Sequence, residues 1–119
     1  MRLLVPGTSP PPIETRETWL VIETRDAFRY IQNMSFKPSI VVARFSDLKP
    51  DLVNRVQPEL ILCPLMGPGF DALDVLCHAS MADWRASIGV LSPPLPNHRM
   101  VERELKAHSG GLSVNLLIV

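Results

Sequence analysis

Cysteine, aromatic rings, long apolar runs and a surplus of charge are all scarce in this sequence, and each scarcity excludes something. Lys and Arg number 12 against 12 Asp and Glu, a formal net charge of zero. Nucleic acid and anionic membrane surfaces are therefore not expected partners, because both need an excess of Lys/Arg to neutralise phosphates. No stretch approaches the ~20 consecutive apolar residues of a membrane-spanning helix. The apolar part of Met1 to Pro6 (M-R-L-L-V-P) is far too short for a signal-peptide core. The two cysteines, Cys63 and Cys77, cannot make the multi-pair disulfide framework of a small secreted domain, and their spacing is not that of a metal site. Each lies in an apolar run and reads as a buried thiol in a reducing compartment. A soluble, cytoplasmic protein without cofactor or metal is the expectation.

Proline is the exception: 12 of 119 residues, against a usual share of ~5%. With 46% hydrophobic and 20% charged residues the chain has the balance of one globular domain rather than of a disordered segment. Gly7-Thr8-Ser9-Pro10-Pro11-Pro12 is the one low-complexity piece, and consecutive prolines fix φ and donate no hydrogen bonds, so it reads as an extended linker. Residues 1–17 are thus expected to form an N-terminal arm and linker, and residues 18–119 the folded domain.

Within that domain short apolar runs alternate with helical spacing. Trp19-Leu20-Val21-Ile22, Ile40-Val41-Val42-Ala43, Leu60-Ile61-Leu62-Cys63, Ile88-Gly89-Val90-Leu91 and Leu112 to Val119 read as five strands, the first of them covered on both faces. Between them Ala27, Phe28, Ile31 and Met34 mark a first helix capped by Thr24 or Asp26. Leu52, Val53 and Val56 face inward on a second helix that starts at Ser46 or Asp47, with Pro50 in its first turn. Phe70, Leu73, Leu76 and Cys77 make a third stripe, after a tight Gly67-Pro68-Gly69 loop. Met100, Val101 and Leu105 face inward on a fourth helix, which carries an outward Glu102–Lys106 pair and ends at Gly110-Gly111. Strand–helix repetition of this kind gives a parallel sheet with right-handed crossovers and helices on both faces. The expected fold is three-layer α/β, flavodoxin-like, with a five-stranded parallel sheet in the order 2-1-3-4-5. Any site in such a sheet lies at the carboxyl ends of the strands.

At the third of those ends stands Pro58-Glu59-Leu60-Ile61-Leu62-Cys63-Pro64-Leu65-Met66-Gly67-Pro68-Gly69-Phe70-Asp71-Ala72-Leu73. This stretch resembles the third strand and following loop of response-regulator receiver domains, which read roughly P-D-L-[ILV]-L-L-D-L-x-M-P-G-M-D-G-L. The resemblance extends in element order from about Thr18 to the C-terminus. It aligns Val21-Ile22-Glu23-Thr24 and Arg29 with the family's first strand, acidic pair and helix-one arginine, and Val90-Leu91-Ser92 with its fourth strand and hydroxyl residue. Receiver chemistry needs a carboxylate nucleophile at the end of the third strand, a Mg²⁺ held by carboxylates, a hydroxyl on the fourth strand and a lysine on the fifth. By the resemblance, the nucleophile position here is Pro64, the acidic pair is Glu23 and Thr24, and Ser92 keeps the hydroxyl. No lysine occurs between Gly110 and Val119. The resemblance therefore implies a degenerate receiver, not phosphorylated, without catalysis, acting in signalling or regulation through a protein partner. The alternative is a small-ligand-binding domain using the crevice beside Glu23, Pro64 and Ser92.

Other polar residues have plain structural readings. Asp71 belongs at a helix N-terminus, where its charge meets the dipole. Ser92 before two prolines reads as a turn residue, His98 as a solvated first-turn residue, and His78 and His108 as helix-end residues. Glu23 reads as a helix cap or a partner of Arg25 or Arg29. The Gly67-Pro68-Gly69 loop lacks the Lys and Ser/Thr of a P-loop. For a hydrolase using Ser92 or Cys63, no base and orienting acid can be named together. Finally, receiver domains close with a fifth helix, and Leu116-Leu117-Ile118-Val119 leaves no residues for one. The bare sheet face is expected to be covered by the arm (Leu3, Leu4, Val5) or by a second copy, the expectation being a homodimer.

Overall fold

In a computed structural model the described residues are 17–119. Among these residues seven strands and four α-helices follow one another: β1 (Thr18–Ile22), α1 (Asp26–Gln32), β2 (Ser39–Ala43), α2 (Pro50–Val56), β3 (Leu60–Pro64), β4 (Met66–Gly67), β5 (Phe70–Asp71), α3 (Ala72–Ser80), β6 (Ser87–Ser92), α4 (His98–Ala107) and β7 (Val114–Ile118). A 3₁₀ turn, Phe45–Asp47, precedes α2. Five strands form one sheet in the order β2-β1-β3-β6-β7, every neighbouring pair parallel. This is a mixed α/β architecture compatible with a flavodoxin-like fold. Five strands were expected; the other two, β4 and β5, make an antiparallel hairpin apart from the main sheet. Leu3, Leu4, Val5 and the proline linker lie outside the described residues.

Alternation along each strand sends side chains to opposite faces. Leu20, Ile22, Ile61, Cys63, Ile88, Val90 and Val114 are buried beneath α2, α3 and α4. Trp19, Val21, Leu62 and Leu91 form the second face, beneath Ala27 and Ile31 of α1. Burial of each such Leu, Ile or Val side chain contributes about 1.5–3 kcal/mol, so the two faces of β1, β3 and β6 hold the domain together. β2 is less buried than the other apolar strands. It lies at the sheet edge, and α1 does not cover its outer face, so Val42 is 61% exposed.

Helix ends explain where the apolar stripes differ from expectation. α1 has neither expected cap: Arg25 occupies the N-cap position and no side chain caps the helix, while Asp26 is its first residue. The helix stops at Gln32, short of Met34, and Phe28 points outward. The Lys37 ammonium donates to the carbonyls of Ile31, Gln32 and Met34 at 3.2, 3.2 and 3.3 Å, satisfying oxygens at that end. α2 starts at Pro50 rather than at Ser46 or Asp47, because those residues are taken up by the 3₁₀ turn. α3 is fixed by a capping box in which Asp71 accepts from the Asp74 N–H and Asp74 from the Asp71 N–H. Its buried stripe is Ala72, Val75, Leu76 and Ala79; Cys77 lies on the solvent side, contrary to the expected buried thiol, and Phe70 belongs to β5. On α4 Leu105 is buried as expected, but Met100 is mostly exposed. The helix ends at Ala107, before the glycines. Gly110 and Gly111 follow with φ of +61° and +87°, and a Cβ on Gly110 would come within 2.6 Å of Ser80. That close approach, and not only the backbone angle, requires glycine there.

Candidate functional site at the carboxyl ends of the strands

The topology brings Glu23, Pro64 and Ser92 to the same end of the sheet, as the last residues of, or the residue just after, β1, β3 and β6. It does not bring all three into one crevice. Pro64 closes β3 and pairs in register with Leu91 of β6. It shares a crevice of about 300 Å³ with Leu65, Met66, Leu91, Ser92, Pro93 and Leu95. Ser92 is the one polar residue in the buried set of the described residues, and its hydroxyl donates to the Pro93 carbonyl at 2.8 Å. The hydroxyl is therefore occupied by its own backbone.

Glu23 is turned elsewhere. Its φ of +38° places a non-glycine residue in the left-handed region, and its carboxylate accepts a hydrogen bond from the Phe45 N–H at 2.7 Å. The side chain thus caps the first turn of the 3₁₀ segment. It lines a separate hollow, of about 420 Å³, together with Thr24, Arg25, Phe28, Val42 and Pro68. Neither Arg25 nor Arg29 pairs with it among the described residues. The carboxylate that does line the Pro64–Ser92 crevice is Asp26, from the first turn of α1. The sequence offers Asp26 only as a possible cap; the bend at residues 23–25, begun by the left-handed Glu23, brings it here.

The loop after β3 is held by aromatic packing. Pro68 and Gly69 turn the β4–β5 hairpin, Gly69 having a φ of +79°. The Phe70 ring lies against Gly67, where a Cβ would come within 2.4 Å of it. The same ring stacks on Phe45 with centroids 4.6 Å apart, and Phe45 meets the edge of the His78 imidazole at 5.2 Å. The ring contact accounts for Gly67 and the positive φ for Gly69. Asp71 is engaged in its capping box through one carboxylate oxygen and its N–H.

Of the two thiols, Cys63 is wholly buried in β3, and burial pushes it from 9.0 up to about 12. A thiol held protonated in this way is a poor nucleophile. Among the described residues no group of three or more His, Cys, Asp or Glu is placed to hold a metal ion, and no helix is long and apolar enough to cross a membrane.

Two further surfaces stand apart from the strand ends. An apolar groove of about 270 Å³ runs between α3 and α4, lined by Leu65, Met66, Leu73, Met100 and Val101. At the β7 edge Leu116 and Leu117 are partly buried while Ile118 and Val119 are 44% and 38% exposed. There the Glu102 carboxylate accepts a hydrogen bond from the Leu116 N–H at 3.2 Å. Neither protein-family models, nor curated proteins, nor solved structures give a match to this chain.

Proposed function

We propose that this chain is a receiver-like interaction module that works independently of phosphorylation, in signalling or regulation, by contacting protein partners and without chemistry of its own. Pro64 carries the reading. At the end of the central strand, where receiver chemistry requires a carboxylate to attack phosphorus, stands a pyrrolidine ring that can neither attack nor hold Mg²⁺. The neighbouring hydroxyl of Ser92 is turned onto its own backbone, and Glu23 caps a turn. The free, unpaired cysteines fit a reducing compartment, the cytoplasm being the expected one.

Beryllofluoride with Mg²⁺, which stands in for a phosphoryl group on a carboxylate, tests this. Melting temperature and mass in solution are expected not to change. A Mg²⁺-dependent stabilisation would overturn the reading.

A second reading, small-ligand binding, draws on the crevice beside Pro64, where the Asp26 carboxylate supplies one charged group in mainly apolar walls. A saturable thermal-shift response that Asp26→Ala and Ser92→Ala both abolish would favour it over the first.

A further inference from the structure

The sheet has two edges, and they are treated differently. In the β6–β7 ladder Ile88 donates to Ser113 and Val119 donates to Ser92, so the backbone groups of Val114, Leu116 and Ile118 point away from the sheet. Glu102 meets one of those groups, the Leu116 N–H, at the middle of that edge. In the β1–β2 ladder Ser39 donates to Glu17 and Glu23 donates to Ala43. Ser39, Val41 and Ala43 therefore face β1, and the N–H and C=O groups of Ile40 and Val42 face outward. Among the described residues no side chain meets those four groups. Lys37, just before the strand, is committed to the carbonyls at the end of α1, while Asp47, Lys49 and Arg55 line a hollow with Val41 and Val42 and make no hydrogen bond to the edge backbone.

The same two residues bear apolar side chains on the α1 face of the sheet. Ile40 is 36% and Val42 61% exposed, and they are flanked by Phe36 and Phe28, at 42% and 44%. Ile40 lies beside Trp19, which the Phe36 ring meets edge-on at 6.0 Å, and Val42 and Phe28 line one hollow. The strip thus has an Ile40–Phe36 end and a Val42–Phe28 end.

We propose that β2 is a self-pairing edge, whose occupant is the β2 strand of a second copy of this chain, run antiparallel across a two-fold axis at Val41. This rests on the interaction-module reading and names its surface. The spacing of the outward groups favours it: Ile40 of one copy opposite Val42 of the other gives two hydrogen bonds, the symmetric pair gives two more, and no outward group of either residue is left over. The strip is self-complementary in the same register, since the Ile40–Phe36 end of each copy meets the Val42–Phe28 end of the other. Arg44 falls opposite the second copy's Pro38, so no like charges are set directly against each other. The four side chains leave roughly 300 Å² of apolar surface per copy, on the ~150–250 Å² scale of such groups. With a little over half of a typical interface apolar, burial of both strips corresponds to about 1,000–1,200 Å² in total, the lower edge of what a specific pair needs. The product is a ten-stranded sheet in a dimer that dissociates on dilution.

Sedimentation of the full chain over a concentration series tests this. The mass is expected to rise from 13.3 kDa toward twice that value. Val42→Pro removes one outward N–H without touching the β1–β2 ladder and is expected to hold the mass at one chain. Ile118→Lys, at the other edge, is expected to leave the dimer intact. Val41→Cys in a Cys77→Ser background places two thiols across the two-fold and is expected to give a covalent dimer on mild oxidation. One-chain mass at every concentration overturns the proposal, as does a dimer dispersed by Ile118→Lys and not by Val42→Pro. If Val42→Pro does not fold, the cross-link decides, and its absence overturns the proposal. None of these readouts depends on Mg²⁺ or beryllofluoride, so failure here is distinct from failure of the phosphorylation-independent reading.

Discussion

The carboxylate of Glu102 on α4 holds the backbone N–H of Leu116, the outward-facing residue at the middle of the β7 edge. One bond ties a helix to a strand 14 residues away and takes up one N–H that the edge would otherwise offer to another chain. Lys106 stands 4.0 Å from the other oxygen of Glu102 and steadies it from solvent.

Glu102→Ala is therefore expected to lower stability by about 1 kcal/mol and to speed amide exchange at Leu116. Lys106→Ala removes only an exposed pair and is expected to cost less than ~0.5 kcal/mol. Urea denaturation of both variants and hydrogen exchange at that one amide check the difference. Equal losses would show that the charge pair, rather than the edge bond, matters.

Asp71→Ala is expected to lower stability by about 1 kcal/mol, through loss of the capping box at α3, and to do nothing else. Thermal melts and a screen for ligand or partner responses separate these effects. A functional loss larger than the stability loss would give Asp71 a role that its hydrogen bonds do not indicate.

Two glycines with positive φ are expected to respond differently to alanine. Gly110→Ala suffers both the backbone angle and a collision with Ser80, and about 2–3 kcal/mol is the expected loss. Gly69→Ala meets open space and suffers only the angle, about 1 kcal/mol. Chemical denaturation of the pair measures the difference.

The thiols predict a pH dependence and a labelling pattern. Cys63 is raised from 9.0 to about 12 in the folded chain. The folded state thus holds its proton where the unfolded state releases it. The stabilisation is complete below about 9 and is lost as pH rises toward about 12. Cys63→Val is expected to flatten that alkaline loss in pH-dependent melts. In the native chain at neutral pH a maleimide is expected to label exposed Cys77 and to leave Cys63 unlabelled until denaturant is added.

How legible this was in the sequence differs by element. β1, β3 and β6 announce themselves as four-residue apolar runs because they are buried on both faces, and Asp71, Pro50 and Asn97 mark helix starts through local chemistry. The Ile40–Ala43 run looks much the same and lies at an edge, because position in a sheet is set by strand order and not by composition. The β4–β5 hairpin is two residues to a side, too short for any alternation to show. Cys77 misled because α3 packs through its small residues, Ala72 and Ala79, and turns the cysteine outward. At the strand ends the nearness of Pro64 to Ser92 follows from neighbouring strands and was readable. The departure of Glu23 toward Phe45, and the arrival of Asp26 in its place, depend on a left-handed turn at a non-glycine residue, for which the sequence carries no signal.

With Pro64 in the acceptor position, the strand ends are expected not to take up a phosphoryl group. Incubation of the full chain with acetyl phosphate and Mg²⁺, followed by intact-mass measurement under conditions that preserve acyl phosphates, tests it most directly. An unchanged mass is expected. A Mg²⁺-dependent gain of one phosphoryl group, lost in Asp26→Asn, would contradict it and identify Asp26 as an acceptor.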